Sequence, residues 1–216
     1  MQYTLEQIII FFAFLPVLLA AIISFKKFNH LDYNLKILAI LIFFALLIET
    51  VLRVYWLFHV SNLFLWPIYV AVEFTLLFLI YTNTLQNAFL SKYRVPIIIL
   101  FIAYLIFKTV HEDALLNQID QGGRLLESIS LIILIFMYFY KIYNDDPDPN
   151  LFNSPMFTIT VGLLLYFSGN FLIFLFTNFI IQYSHSFNTH IWITHAFLNS
   201  ILYLTYAFAL WKSRVN

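Results

Sequence analysis

Between Leu35 and Tyr81 the chain reads as two very apolar helices joined by a tight turn over Ser61-Asn62, with Glu49, Arg53 and Glu73 inside them. Such a hairpin belongs in a bilayer, where an ionisable side chain near mid-helix costs about 3 kcal/mol even on lenient insertion scales. Each of the three must therefore face protein or water and find a partner. The remaining segments have to wall in that polar seam.

Their composition suits the task. Of 216 residues 62% are hydrophobic and only 10% charged, with a mean hydropathy of +0.88, a balance that a soluble domain could not keep in solution. A span takes about 20 mostly apolar residues to cross roughly 30 Å of hydrocarbon, so the length fits seven spans with short connections and no separate soluble domain. Apolar segments fall at 8–24, 35–59, 62–81, 95–110, 124–143, 155–183 and 190–211. Backbone polar groups in lipid must be satisfied within the segment, and these are too long for barrel strands, so all are expected to be helices. The expected fold is an all-α polytopic membrane protein, a single seven-helix transmembrane domain over 1–216. The first segment follows Glu6 and precedes Lys26-Lys27, the reverse of a secretory leader, and is expected to be retained.

Basic residues give an orientation. With the amino terminus outside, Lys26, Lys27, Lys36, Lys92, Arg94, Lys141, Lys212 and Arg214 lie toward the cytoplasm, leaving Arg53, Lys108 and Arg124 toward the outside. The carboxyl terminus is then cytoplasmic, and the expected location is the cell (inner) membrane, multi-pass. Glu112, Asp113 and Asp120 in the fourth loop agree weakly. Gly122-Gly123 and the run Asp145 to Pro149 read as connections, Pro155 as a first-turn proline, and Pro16, Pro67 and Pro96 as kinks.

Glu49 and Arg53 are four residues apart, so a direct pair accounts for both without any ligand. Glu73 shares a helix face with Tyr69 but has no cation in its own segment. It must meet a donor from another span or stay protonated. Glu127 opens the fifth span, where an acid suits a helix amino terminus. Gly162, Gly169 and Asn170 in the sixth span suit close packing and interhelical hydrogen bonding. His195, Asn199, Tyr203 and Tyr206 form one stripe of the last span. In the orientation above, Glu49, Arg53, Glu127, His195 and Asn199 share the outer half of the membrane, with Glu73 and Asn170 at the floor. The expected site is thus an outward-facing polar cavity lined by Glu49, Arg53, Tyr69, Glu73, Glu127, Asn170, His195 and Asn199.

No catalytic set is expected. There is no cysteine, which removes disulfides and thiol chemistry. His185, His190 and His195 are spaced by five, rotating successive side chains by roughly 140°, unlike paired metal ligands, and the first two read as interfacial loop residues. Glycine-rich phosphate loops and serine elbows are missing, so neither metal nor cofactor is expected. With 11 basic and 11 acidic residues and zero formal net charge, no basic patch suggests nucleic acid, and none is expected as a partner.

Leu15-Pro16, Tyr69 with Glu73, Arg124-Leu125-Leu126-Glu127-Ser128, Tyr166-Phe167-Ser168-Gly169-Asn170, and Trp192 with His195 and Asn199 together give a pattern that resembles a set of uncharacterised seven-helix integral membrane proteins of Bacteroidota type. The resemblance implies the span count and weight on these positions, and no activity. The expectation is a sensor or receptor-like module that binds a small ligand or protons, with the lipid bilayer and a membrane or cytoplasmic signalling partner around it. The tail after Trp211 is too short to carry an output of its own. A small-solute or proton-coupled transporter uses the same seam, with the prolines as gates. An intramembrane enzyme is the third reading.

Overall fold

The computed structural model describes residues 9, 11–111, 121–144, 151–183 and 185–213, with side chains described outside 121 and 177–189. Expectations for Glu6, for the acidic loop residues Glu112, Asp113 and Asp120, for the Asp145–Pro149 connection and for Arg214 fall outside them.

Apart from short connections, the described residues are helical. The helices are α1 (Leu15–Lys27), α2 (Tyr33–Leu57), α3 (Leu65–Leu85), α4 (Ala88–His111), α5 (Gln121–Asn144), α6 (Pro155–Tyr183) and α7 (His185–Lys212), with short 3-10 turns at Phe28–His30 and Leu151–Asn153. Six of them, α2 to α7, are long and apolar enough to cross a membrane. Their exposed residues make the same point: α4 presents Ile99, Leu100, Ile106 and Phe107, and α5 presents Leu126, Ile129, Ile133 and Phe136. Apolar faces turned outward over buried charge are the inverse of a soluble protein and suit a hydrocarbon solvent. The chain is a multi-pass helical membrane protein.

Several boundaries differ from the sequence expectation. The first apolar run turns at Ala13-Phe14 and resumes as α1 with Pro16 in its first turn. Pro67 likewise sits in the first turn of α3, where a missing N–H breaks no intrahelical bond, so only Pro96 lies inside a helix. α4 begins at Ala88, seven residues before the expected 95, because Asn87 caps it: Asn87 Oδ1 accepts from Leu90 N at 3.1 Å. The polar residues Ser91, Lys92 and Arg94 hide these first turns from a hydropathy window. Gly122 and Gly123 belong to the first turn of α5 rather than to a connection. His185 and His190, expected in a loop, lie in α7, whose first turns are polar but helical.

By its contacts the chain forms two compact units, Met1–Leu31 with Asp148–Asn216, and Asp32–Pro147. In the second unit α3 packs against α2, α4 and α5. Asp32 caps α2 by accepting from Leu35 N at 2.8 Å. Phe74 stacks on Phe101 of α4 at 3.9 Å, and Tyr81 meets Tyr138 of α5 edge-on at 6.4 Å. α5 buries Arg124, Glu127, Ser128, Leu131, Ile135 and Tyr138, one stripe at spacings of three and four. Left-handed His59 and Gln86 end α2 and α3, and Lys141 Nζ donates to Thr84 O at 2.9 Å, satisfying a carbonyl at the end of α3.

In the first unit α7 packs against α6 and α1. Gly162 lies so close to Thr205 that a Cβ there would collide with its hydroxyl, and Gly169 faces Leu198 in the same way. Lys27 Nζ of α1 donates to Trp211 O at 2.5 Å and Ser213 O at 2.8 Å, closing the end of α7.

Candidate functional site

α5 carries the site's cation at its first turn and α3 its acid near mid-helix. Arg124 Nη1 donates to Glu73 Oε2 at 2.5 Å and to Glu127 Oε2 at 2.8 Å. Glu127 reaches the guanidinium because three residues bring both side chains to one face of α5, the face turned to α3. Tyr69, one turn before Glu73, donates its hydroxyl to Glu73 Oε1 at 3.2 Å and is itself stacked on Phe44 of α2. The guanidinium carbon lies 4.6 Å from the Trp66 ring centroid and 5.0 Å from that of Tyr69, within reach of both π faces. Ser128 Oγ donates to Arg124 O at 2.7 Å.

The group is dry. Glu127 is 0% exposed, Glu73 1% and Arg124 2%. Among the described residues two carboxyls share this guanidinium, so with all three ionised these three side chains sum to one negative charge. Glu127 Oε1 is buried without a hydrogen-bond partner among the described residues. One more positive charge at the carboxyl oxygens would neutralise these three groups, and the low dielectric makes that charge count heavily.

The other expected residues have contacts within their own units. Arg53 pairs with Glu49 on α2 and also donates to Glu49 O at 2.9 Å, and both side chains keep partial exposure, so the acid in mid-α3 is served by Arg124. In the first unit His195 Nδ1 lies 2.7 Å from Asn170 Oδ1, within a box of Tyr166, Phe174 and Trp192 rings at 6.2, 6.1 and 5.9 Å. Asn170 and Asn199 are buried, as are Tyr203 and Tyr206, so the α7 stripe turns into its unit. Asn170 Nδ2 is buried without a partner among the described residues. Among the described residues no three His, Asp or Glu side chains group as metal ligands.

Sequence reasoning missed the hub. Arg124 enters the sequence reading as an outward-side charge and as the first residue of the Arg124-Leu125-Leu126-Glu127-Ser128 pattern, not as the partner of Glu73. The signal was present as an Arg and a Glu three apart at a span's start, together with a mid-span Glu lacking its own cation. Trp66 as a π partner had no sequence signal of its own. Comparison with family models, with curated proteins and with solved structures gave no match to this chain.

Proposed function

We propose that the chain is a sensor or receptor-like module of the cell (inner) membrane, with seven spans, an outside amino terminus and a cytoplasmic carboxyl terminus, whose polar site takes up a proton or a small ligand. The kinship with uncharacterised seven-helix proteins of Bacteroidota type belongs to the same proposal. One observation carries it: a lone guanidinium held between two fully buried carboxyls. A net charge sealed in hydrocarbon is costly, and a proton on either carboxyl removes it without needing space, which favours the proton over a larger ligand. Loss or gain of that charge changes how tightly Arg124 binds α5 to α3. That difference biases two helix arrangements and is passed to a partner through helix contacts.

Orientation is supported by Lys36, Arg94 and Lys141 standing at one end of the second unit and Arg53 and Arg124 at the other. A second reading, a small-solute or proton-coupled transporter, is favoured by the same buried carboxyls, since ionisable groups inside a membrane helix mark proton and solute paths.

Trp66 reports on the site from within. In reconstituted vesicles its emission, isolated by comparison with Trp66→Phe, is expected to change along an acid-to-neutral pH series and to stay constant in Glu127→Gln. An unchanging signal in the native chain removes the sensing claim. Sustained proton or solute flux into the same vesicles selects the transporter.

A further inference from the structure

In the second unit, where α3 ends, α4 begins and α5 runs out, there is an open groove of about 650 Å³. Leu85, Ile133 and Met137 are among its apolar lining, and Asn87, Lys141 and Asn144 make up its polar lining. Ile133 lies two turns before Lys141 on α5, so the lining passes from apolar to cationic over roughly 12 Å along the helix. Lys141 Nζ spends two N–H groups on Thr84 O and Leu85 O, at 2.9 and 3.5 Å, and an ammonium has three. Asn87, in the same lining, caps α4 at its amino terminus, where the helix dipole favours an anion. An apolar channel that ends at a lysine and a helix amino terminus matches an acyl chain with an anionic headgroup.

We infer that this groove is a binding site for an anionic phospholipid, the tail along Ile133 and Met137 and the headgroup phosphate between Lys141 and the start of α4. The protein lies in lipid, so the groove is filled by default, and charge complementarity selects which lipid fills it. On the proposed orientation this end faces the cytoplasmic leaflet, where anionic lipids attract basic groups. Lys141 then links the headgroup to the end of α3, the helix that carries Glu73.

The test is lipid retention. The full chain is reconstituted into mixed phosphatidylcholine and phosphatidylglycerol vesicles, extracted in mild detergent, and its co-purified lipid quantified. Phosphatidylglycerol is expected to be enriched roughly fivefold over its share of the vesicle, the factor one basic side chain at an anionic surface supplies. Lys141→Gln should abolish the enrichment, and Ile133→Trp, which fills the groove's body and keeps the lysine, should lower bound lipid of both kinds. Should Lys141→Gln lose its helical circular dichroism, the Ile133→Trp variant and the native enrichment decide. No enrichment in the native chain, or retention unchanged in both folded variants, overturns the inference. Because the chain has no cysteine, Ile133→Cys provides a single cross-linking position, and disulfide capture of a second copy there would also overturn it.

Discussion

Arg124 Nη1 of α5 lies 2.5 Å from Glu73 Oε2 of α3, joining positions 51 residues apart in a site that neither helix could form alone. The pair makes the packing of these helices depend on charge. Removing one partner of a buried ion pair is far more damaging than replacing the whole set by apolar groups. Arg124→Ala is therefore expected to lower unfolding stability in detergent by about 3 to 5 kcal/mol. Glu73→Gln, which keeps a carbonyl acceptor for Arg124 and Tyr69, should cost less than Glu73→Leu. Thermal unfolding of the three variants checks the order, and equal stability of the Gln and Leu forms would show that hydrogen bonding at this position is immaterial.

Gly162 gives α7 its close approach to α6. Gly162→Ala should cost about 1 to 3 kcal/mol, the usual penalty for overpacking, because the new methyl meets the Thr205 hydroxyl. Thr205→Ala should recover most of that loss in the double variant. Additive losses would mean that the collision is not what the alanine suffers from.

His195 and Asn170 are expected to be coupled. His195→Phe leaves Asn170 Oδ1 buried without its imidazole partner at a cost of about 1 to 3 kcal/mol, whereas adding Asn170→Leu should return much of it. A double-variant cycle in thermal unfolding measures the coupling, and zero coupling would remove the hydrogen bond from the account of this unit.

Topology is checked by reporters active on only one side of the membrane, fused at Asn216 and near Gln118. The carboxyl-terminal fusion should be active inside and the loop fusion outside. Activity of the Asn216 fusion outside would invert the proposed orientation.

The helices were legible because long apolar stretches permit no other structure in lipid. Where the reading slipped, polarity and secondary structure had parted company. The stretches Ala88 to Arg94, with Ser91, Lys92 and Arg94, and His185 to Thr189 carry polar residues yet are helical, since a helix can run past its apolar core into a wetter zone. The need of Glu73 for a donor from another span could be reasoned from its helix alone. Which residue supplies it could not, because a sequence without a tertiary arrangement does not choose between Arg53, Lys108 and Arg124. Arg53 was readable as the mate of Glu49 from their spacing, and that pairing leaves the other two. Only the packing of α5 on α3 brings Arg124 over Trp66 and Tyr69.

Infrared difference spectroscopy of the reconstituted protein tests the central claim, that the Arg124 cluster takes up a proton. Acidification is expected to raise a carbonyl band of a buried, protonated carboxyl that is present in the native chain and absent from the Glu73→Gln/Glu127→Gln double variant. Identical difference spectra for the native chain and the double variant would contradict the claim, because the cluster would then hold a fixed charge and have nothing to sense.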